Sequence, residues 1–488
     1  MSILAKNMIY RFKNIISVFF LILPSMVYSS LSYNSNIERA HKLLLNLQYI
    51  EASHLLEKEN LKNNDNLYIL YFKSYSLFLK SYFDTKQSDY DKFMASSEDC
   101  LELLENEKDK EQASILSATI AIQRAYLFFL WSNHFSYAKA IMQGQDFIDK
   151  INPKSTNIEY LKIRSIYEVL GSSIPNKYKT YAKWFNIKGD AKKGLELISL
   201  YLKKTDLQSA NGIEGQIIAL YLNNFLDIDN STINTASAPV LLQYVYLQNH
   251  KEKALSKLSI IQNLEHKPSQ LPIYFNFLKA KYLLELQDKR GIDIMREFIA
   301  EQKGISLVHS AHYYLAWYYC SHKNSTDYKK EISAIEALPE ALFPADKNVG
   351  NRISSQKTCN SYLVKSRMLF DAEEYSKALA VLKEKNIDKQ LKTYEEKIEY
   401  IYRLARIYEH SKQIEKAIQL YSKVVKTQKS ELYFVPYSAY CLGKIYENQS
   451  EINLAKQYYN IALDLNEGEY KTSIEKKCQF ALNRLSKQ

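Results

Sequence analysis

The densest set of metal-capable side chains in this chain lies in the stretch HSAHYYLAWYYCSH, residues 309–322. His309 and His312 share one face of a helix, and Cys320 and His322 follow; a soft-metal site needs three of the four to converge. The aromatics around them favour core packing and ordinary hydrogen bonding instead. Other chemistry leaves no mark. There is no GxSxG elbow, no HExxH, no phosphate-binding Walker loop, no GxGxxG and no EF-hand spacing. The five cysteines, Cys100, Cys320, Cys359, Cys441 and Cys478, are far apart and never form a CxxC pair, so we read them as buried thiols on helices, with one long-range disulfide as the alternative. The 40 tyrosines fall mostly at core spacing, which makes packing a better account than a binding platform. The expectation is a protein that is not an enzyme, with no catalytic residue, metal or cofactor.

The elements that position these side chains are helices. Only 11 glycines and 9 prolines interrupt 488 residues, 46% of which are hydrophobic, so long apolar-periodic segments run with few turns. A mean hydropathy of −0.35 and 24% charged residues exclude both a polytopic membrane protein and wholesale disorder. Length alone allows roughly three average domains, although a repeat array grows without new domains.

Residues 1–29 form a targeting segment. Lys6, Arg11 and Lys13 make a basic start, Ile15 to Leu23 an apolar core, and Val27-Tyr28-Ser29 a small-residue cleavage site. The apolar run is shorter than the ~20 residues that span a bilayer, and Pro24 interrupts it. Export to the periplasm or beyond, with cleavage after Ser29, is the expectation; anchoring by an uncleaved segment is the alternative. No cysteine stands nearby to carry a lipid. Of the formal charge of +11, three positive charges leave with this segment, so the mature chain keeps +8. Basic and acidic residues are interspersed without a long single-sign run, which argues against a nucleic-acid partner.

Internal repeats organise the rest. In YCLGKIYENQSEINLAKQYYNIALDLNE, from Tyr440, a small residue at Gly443 is followed by Tyr446, a turn, Ala455, Tyr459 and Ala462. The same order recurs at Leu404, Ala405, Tyr408, Ala417, Tyr421 and Val424, and again at Ser366, Leu369, Tyr375, Ala378 and Leu382. Weaker copies place Ala40, Leu43, Tyr49, Ala52 and Leu56, then Ala125, Phe129, Phe135, Ala138 and Met142, in register; Ala280 and Ala316 are the small contacts of two more. A small residue on each helix lets two backbones approach, while aromatics three or four positions away fill the flanks. Asp371 with Glu374 reads as a capping-box-like pair opening the second helix of its repeat.

These positions resemble the tetratricopeptide repeat: a helix with Leu-Gly/Ala and Tyr, a turn, then a helix with Ala and an aromatic. The spacing of 39 and then 38 residues between Ala378, Ala417 and Ala455 exceeds the usual 34, and the proline that commonly follows the second helix is absent. The resemblance implies an all-α fold, a tetratricopeptide-like helical-hairpin solenoid wound as a right-handed superhelix. The amphipathic C-terminal segment YKTSIEKKCQFALNRL closes it. The divisions expected are 1–29 as signal peptide, 30–150 as degenerate repeats, 151–345 as a middle repeat region, and 346–488 as C-terminal repeats with the capping helix. The middle stretch from Gly171 to Lys204, with Ile-Pro, Trp184-Phe185, Gly189-Asp190 and Gly194-Leu195-Glu196-Leu197, resembles the inclusion-body clearance family of tetratricopeptide proteins and exported bacterial relatives. Asp190 reads there as a helix cap, Gly194 as a close-packing position and Trp184 as core.

The resemblance also implies a groove. The residue after the small contact of each first helix faces the concave surface: Arg367, Arg406 and Lys444, with Tyr402 and Tyr440 four positions before the last two. Such a basic, aromatic column suits a carboxylate, a chain terminus or an acidic peptide. The competing reading is a solvated face, with Glu409 and Glu447 neutralising Arg406 and Lys444 at i,i+3. The function expected is a non-enzymatic interaction scaffold of the bacterial cell envelope that binds a protein or peptide partner. A glycan-binding helical protein of nutrient uptake is the alternative, weakened by only three tryptophans, Trp131, Trp184 and Trp317; a hydrolase ranks last.

Overall fold

The computed structural model describes residues 31–172, 189–228, 238–249, 252–265, 271–304, 306–355, 359–385, 387–429, 431–467 and 470–486. Among these residues there are α-helices and one short 3₁₀ turn, and no strand. The first stretch holds α1 (Ser35–Leu45), α2 (Tyr49–Asn60), α3 (Leu67–Asp84), α4 (Gln87–Glu105), α5 (Lys110–Leu130) and α6 (His134–Asp149). The middle holds α7 (Ile158–Ser172), α8 (Ala191–Lys204), α9 (Ala210–Phe225), α10 (Val240–Asn249), α11 (Ala254–Glu265), α12 (Tyr274–Glu285), α13 (Arg290–Glu301), α14 (Val308–Ser321), α15 (Ser325–Glu336) and α16 (Pro344–Ser355). The C-terminal repeats are α17 (Ser361–Asp371) with α18 (Tyr375–Leu382), α19 (Tyr394–His410) with α20 (Ile414–Val425), α21 (Phe434–Asn448) with α22 (Ile452–Asp464), and the closing α23 (Lys471–Leu485). Successive helices pack as hairpins and hairpins stack on their neighbours, so the fold is a tetratricopeptide-like all-α solenoid. Only α5 is long and apolar enough, among the described residues, to cross a membrane, and it is mostly buried inside the fold.

The hairpins turn without glycine. Leu47, Ser132, Gln287, Lys323, Glu373, Lys412 and Ser450, one in each of seven turns, adopt φ between 57° and 67°. In each case the next N–H bonds back five residues, as from Glu374 to the Leu369 carbonyl at 2.9 Å and from Gln413 to that of Tyr408 at 2.8 Å. That is the helix-ending arrangement glycine usually serves, and an L-residue there costs roughly 1–2 kcal/mol. One correction follows for Asp371. It ends α17 instead of capping α18, whose first N–H groups receive no side-chain cap. The capping box in this region belongs to Thr393 and Glu396, at the start of α19.

The small-residue register holds in the C-terminal repeats. Ala378, Ala405, Ala417, Ala455 and Ala462 are fully buried, and Ser366 lies so close to α18 that its hydroxyl donates to the Ala378 carbonyl at 3.1 Å. It slips in α6, where Ala138 and Phe135 are exposed and Ala140 and Gly144 take the buried places. In the middle region Asp190 caps α8 by accepting from the N–H groups of Lys192 and Lys193. A Cβ on Gly194 would meet Val169 and the Ser165 carbonyl at 2.7 and 2.8 Å, so this is a close crossing. Trp184 lies outside the described residues.

The winding also brings distant hairpins together. One core joins α1–α5 to α9–α17, with the Tyr82 and Tyr244 hydroxyls 2.9 Å apart and those of Thr85 and Ser306 2.9 Å apart. At the other end Phe480 of α23 packs on the cluster built by α7, α8 and α9. Several repeats are therefore held by more than their sequence neighbours, whereas the α19–α20 hairpin packs chiefly on the adjacent repeats.

Candidate functional site

The first helices of the C-terminal repeats, α17, α19 and α21, carry the five residues of the expected column. Arg367, Tyr402 and Arg406 come together in one cavity of about 230 Å³, whose walls include Phe370, Ile407, Tyr433, Tyr437 and Ile474. The Arg367 guanidinium stands over Trp317 of α14, 4.3 Å from the ring centre, and its Nε is 3.7 Å from Asp371. The Arg406 guanidinium stands between Phe370 at 4.8 Å and Tyr437 at 5.3 Å. It donates to the Tyr402 hydroxyl at 3.0 Å, while its Nε is buried without an acceptor. No carboxylate lies within ion-pair distance of Arg406 among the described residues. Burial pushes the Tyr402 phenol well above its ordinary value, so it stays a neutral partner to the cation.

Tyr440 and Lys444 are placed elsewhere. Both donate to Oδ2 of Asp227, just beyond α9, at 2.7 Å each, and Lys477 of α23 approaches Oδ1 at 3.7 Å. Burial alone would raise the Asp227 pKa; the ammonium groups of Lys477 and Lys444 and the hydrogen bonds from Lys444 and Tyr440 outweigh it and hold the carboxyl well below its ordinary range. The i,i+3 neutralisation does not form. Glu409 accepts from Tyr421 at 2.5 Å, and Glu447 accepts from Tyr459 at 2.6 Å and pairs with Arg484 at 2.6 Å. Asp227 and the cavity residues Tyr433, Tyr437 and Ile474 were not legible in the sequence, because they enter from other repeats and no short-range pattern marks them.

The metal-capable stretch disperses. His312 meets Glu331 at 2.7 Å, the His322 Nδ1 lies 2.9 Å from the Tyr318 carbonyl, and Cys320 is bonded to Cys359 with the two Cα atoms 6.2 Å apart. That separation suits a disulfide, so the reading of all five cysteines as thiols is corrected for this pair; Cys100, Cys441 and Cys478 are free and buried. Cys441 lies behind the Arg406 site, and burial together with the Glu409 carboxylate pushes its thiol up to about 12, which removes it as a nucleophile. What the cavity holds is a partly buried cation in an aromatic frame.

No family model matches the chain, and no curated protein matches it. Among solved structures, a monomeric mutant of IFIT1 with Gppp-AAAA is similar at 12% identity, over 86% of this chain and 67% of that one, with a TM-score of 0.22.

Proposed function

We propose that this protein is a non-enzymatic scaffold of the bacterial cell envelope, exported by residues 1–29, which binds a protein or peptide partner in the concave face of its C-terminal repeats. The observation that carries the reading is Arg406, a partly buried cation with a buried, unmet Nε donor and no carboxylate within ion-pair distance among the described residues, opening into a cavity whose walls mix aromatic and apolar side chains with Arg367, Arg403 and Asp371. Buried charges are ordinarily paired, so an uncompensated guanidinium in a concave site is a place for an anionic group of another molecule. Aromatic and arginine side chains together are also the usual anchors of protein interfaces.

The glycan reading draws less support. Of the described tryptophans, Trp131 stacks one face on Tyr90 at 4.6 Å and Trp317 is buried beneath Arg367, so no pair of open rings stands ready for a sugar. The test is capture from an envelope extract with quantitative mass spectrometry. Wild type should enrich a partner that the Arg367→Glu/Arg406→Glu chain loses while its circular dichroism is retained. Full retention of every partner by that variant defeats the proposal and sends the search to the N-terminal half.

A further inference from the structure

The column already contains one example of how it holds an acid. Tyr440 and Lys444 stand four residues apart on α21, and both donate to the same oxygen of Asp227 at 2.7 Å. Tyr402 and Arg406 stand in the same relation on α19, each 38 residues earlier, at equivalent positions of the preceding repeat. There the phenol and the cation are in place, but among the described residues no carboxylate reaches Arg406; Asp371, which also lines the cavity, lies against Arg367.

The acids on these helices are committed. Asp371 faces Arg367, Glu399 pairs with Arg403, and Glu409 accepts from Tyr421. Arg406 uses one N–H on Tyr402 and keeps its Nε unmatched. The space beside it, about 230 Å³, is below the ~300–1,000 Å³ of small-molecule pockets, which favours one side chain over a whole metabolite. Its walls combine Phe370, Ile407, Ile474 and the Tyr437 ring with Arg367, Arg403 and the Asp371 that Arg367 holds, so a carboxylate entering would be partly desolvated and would meet an excess of guanidinium charge.

We propose that the Tyr402–Arg406 cavity is a subsite for a single aspartate or glutamate side chain of a partner polypeptide, held as Asp227 is held one repeat later. The assignment rests on the reading of this face as a protein-binding groove, and it selects an internal acidic residue over a chain end as the recognised group.

The experiment uses the full chain labelled with ¹⁵N-arginine and follows the Arg406 Nε–Hε resonance, identified by its loss in Arg406→Lys. Three probes are titrated: N-acetyl-glutamate N′-methylamide, its glutamine analogue, and N-acetyl-leucine, which has a terminal carboxylate and no acidic side chain. The glutamate probe should shift the resonance saturably in the millimolar range, the other two should not, and Arg406→Lys should weaken binding of the glutamate probe, followed by ligand-observed NMR, about ten-fold. An unmoved resonance, or an equal response to the glutamine analogue, overturns the proposal. A response to N-acetyl-leucine alone overturns it in favour of a chain terminus. If the glutamate probe is inert while capture from extract still depends on Arg367 and Arg406, the acidic-side-chain assignment falls and the groove reading survives. If both fail, both fall.

Discussion

Gly443 decides how close α21 and α22 come, and a single methyl group there tests the packing account. A Cβ built on Gly443 lies 2.6 Å from both Cδ1 and Cε1 of Tyr459. Tyr459 is fully buried, and its hydroxyl is tied to Glu447 at 2.6 Å, which is itself paired with Arg484. The ring cannot swing aside without giving up that chain of contacts. In an unhindered helix, Gly→Ala gains roughly 1 kcal/mol of helix propensity; forcing a methyl into a filled core costs about 1–3 kcal/mol. Gly443→Ala should therefore be destabilising by about 1 kcal/mol despite the better helix former, and Gly443→Leu by about 3 kcal/mol or more. At about 2–4 °C per kcal/mol for a unit of this size, melting of the C-terminal repeats should fall by a few degrees for Ala and by roughly 6–12 °C for Leu. Calorimetry measures both, and Tyr459→Leu supplies the control: combined with Gly443→Ala it should cost less than the two changes added, because removing the ring removes the clash. A rise in melting temperature for Gly443→Ala would mean that the crossing is looser than described and would refute the reasoning.

Asp227 fastens α21 and α23 to the end of α9. Because its folded pKa is depressed, its contribution is full above the unfolded value near 4 and is lost as the pH falls below it; Asp227→Asn should lower stability at neutral pH by about 1–3 kcal/mol, discounted for partial exposure of Lys444, and flatten the acid limb of a denaturation curve between about pH 5 and 2. The Cys320–Cys359 bond closes a 39-residue separation, so Cys359→Ser should cost up to about 4 kcal/mol by loop entropy, and thiol titration of the denatured, unreduced protein should count three free cysteines, with five contradicting the bond. Ala417, fully buried between α19 and α20, should reject Phe with a loss of about 1–3 kcal/mol; unchanged unfolding would mean the register is wrong. N-terminal sequencing of the mature protein should begin near Ser30, whereas full-length chain recovered from the cytoplasm would contradict export.

The hairpin architecture was legible because it rests on local patterns: a small residue, an aromatic and a turn recur at fixed offsets, and each offset has a steric cause. The turns were only half legible. Glu373, Lys412 and Ser450 adopt a left-handed conformation that glycine would have advertised, and without glycine the end of α17 was misread as a cap. In the groove, Arg367, Tyr402 and Arg406 follow from repeat equivalence and do share one cavity. The fate of Tyr440 and Lys444 was not legible, since the acid that takes them is more than two hundred residues away and arrives only through the winding of the solenoid. The disulfide was hidden for the same reason: Cys320 and Cys359 meet through tertiary packing, and neither lies in a spacing that marks a pair.

The central claim, that a partner polypeptide occupies the concave face at Arg367 and Arg406, is tested most directly by site-specific photo-crosslinking in envelope extract. A benzophenone amino acid in place of Tyr437, inside the cavity, should form an adduct with one partner that is lost when Arg367 and Arg406 are both changed to Gln. The same probe in place of the exposed Leu454 on α22 should form none. Adducts that form equally from Leu454, or that persist from Tyr437 after both arginines are replaced, would contradict the account.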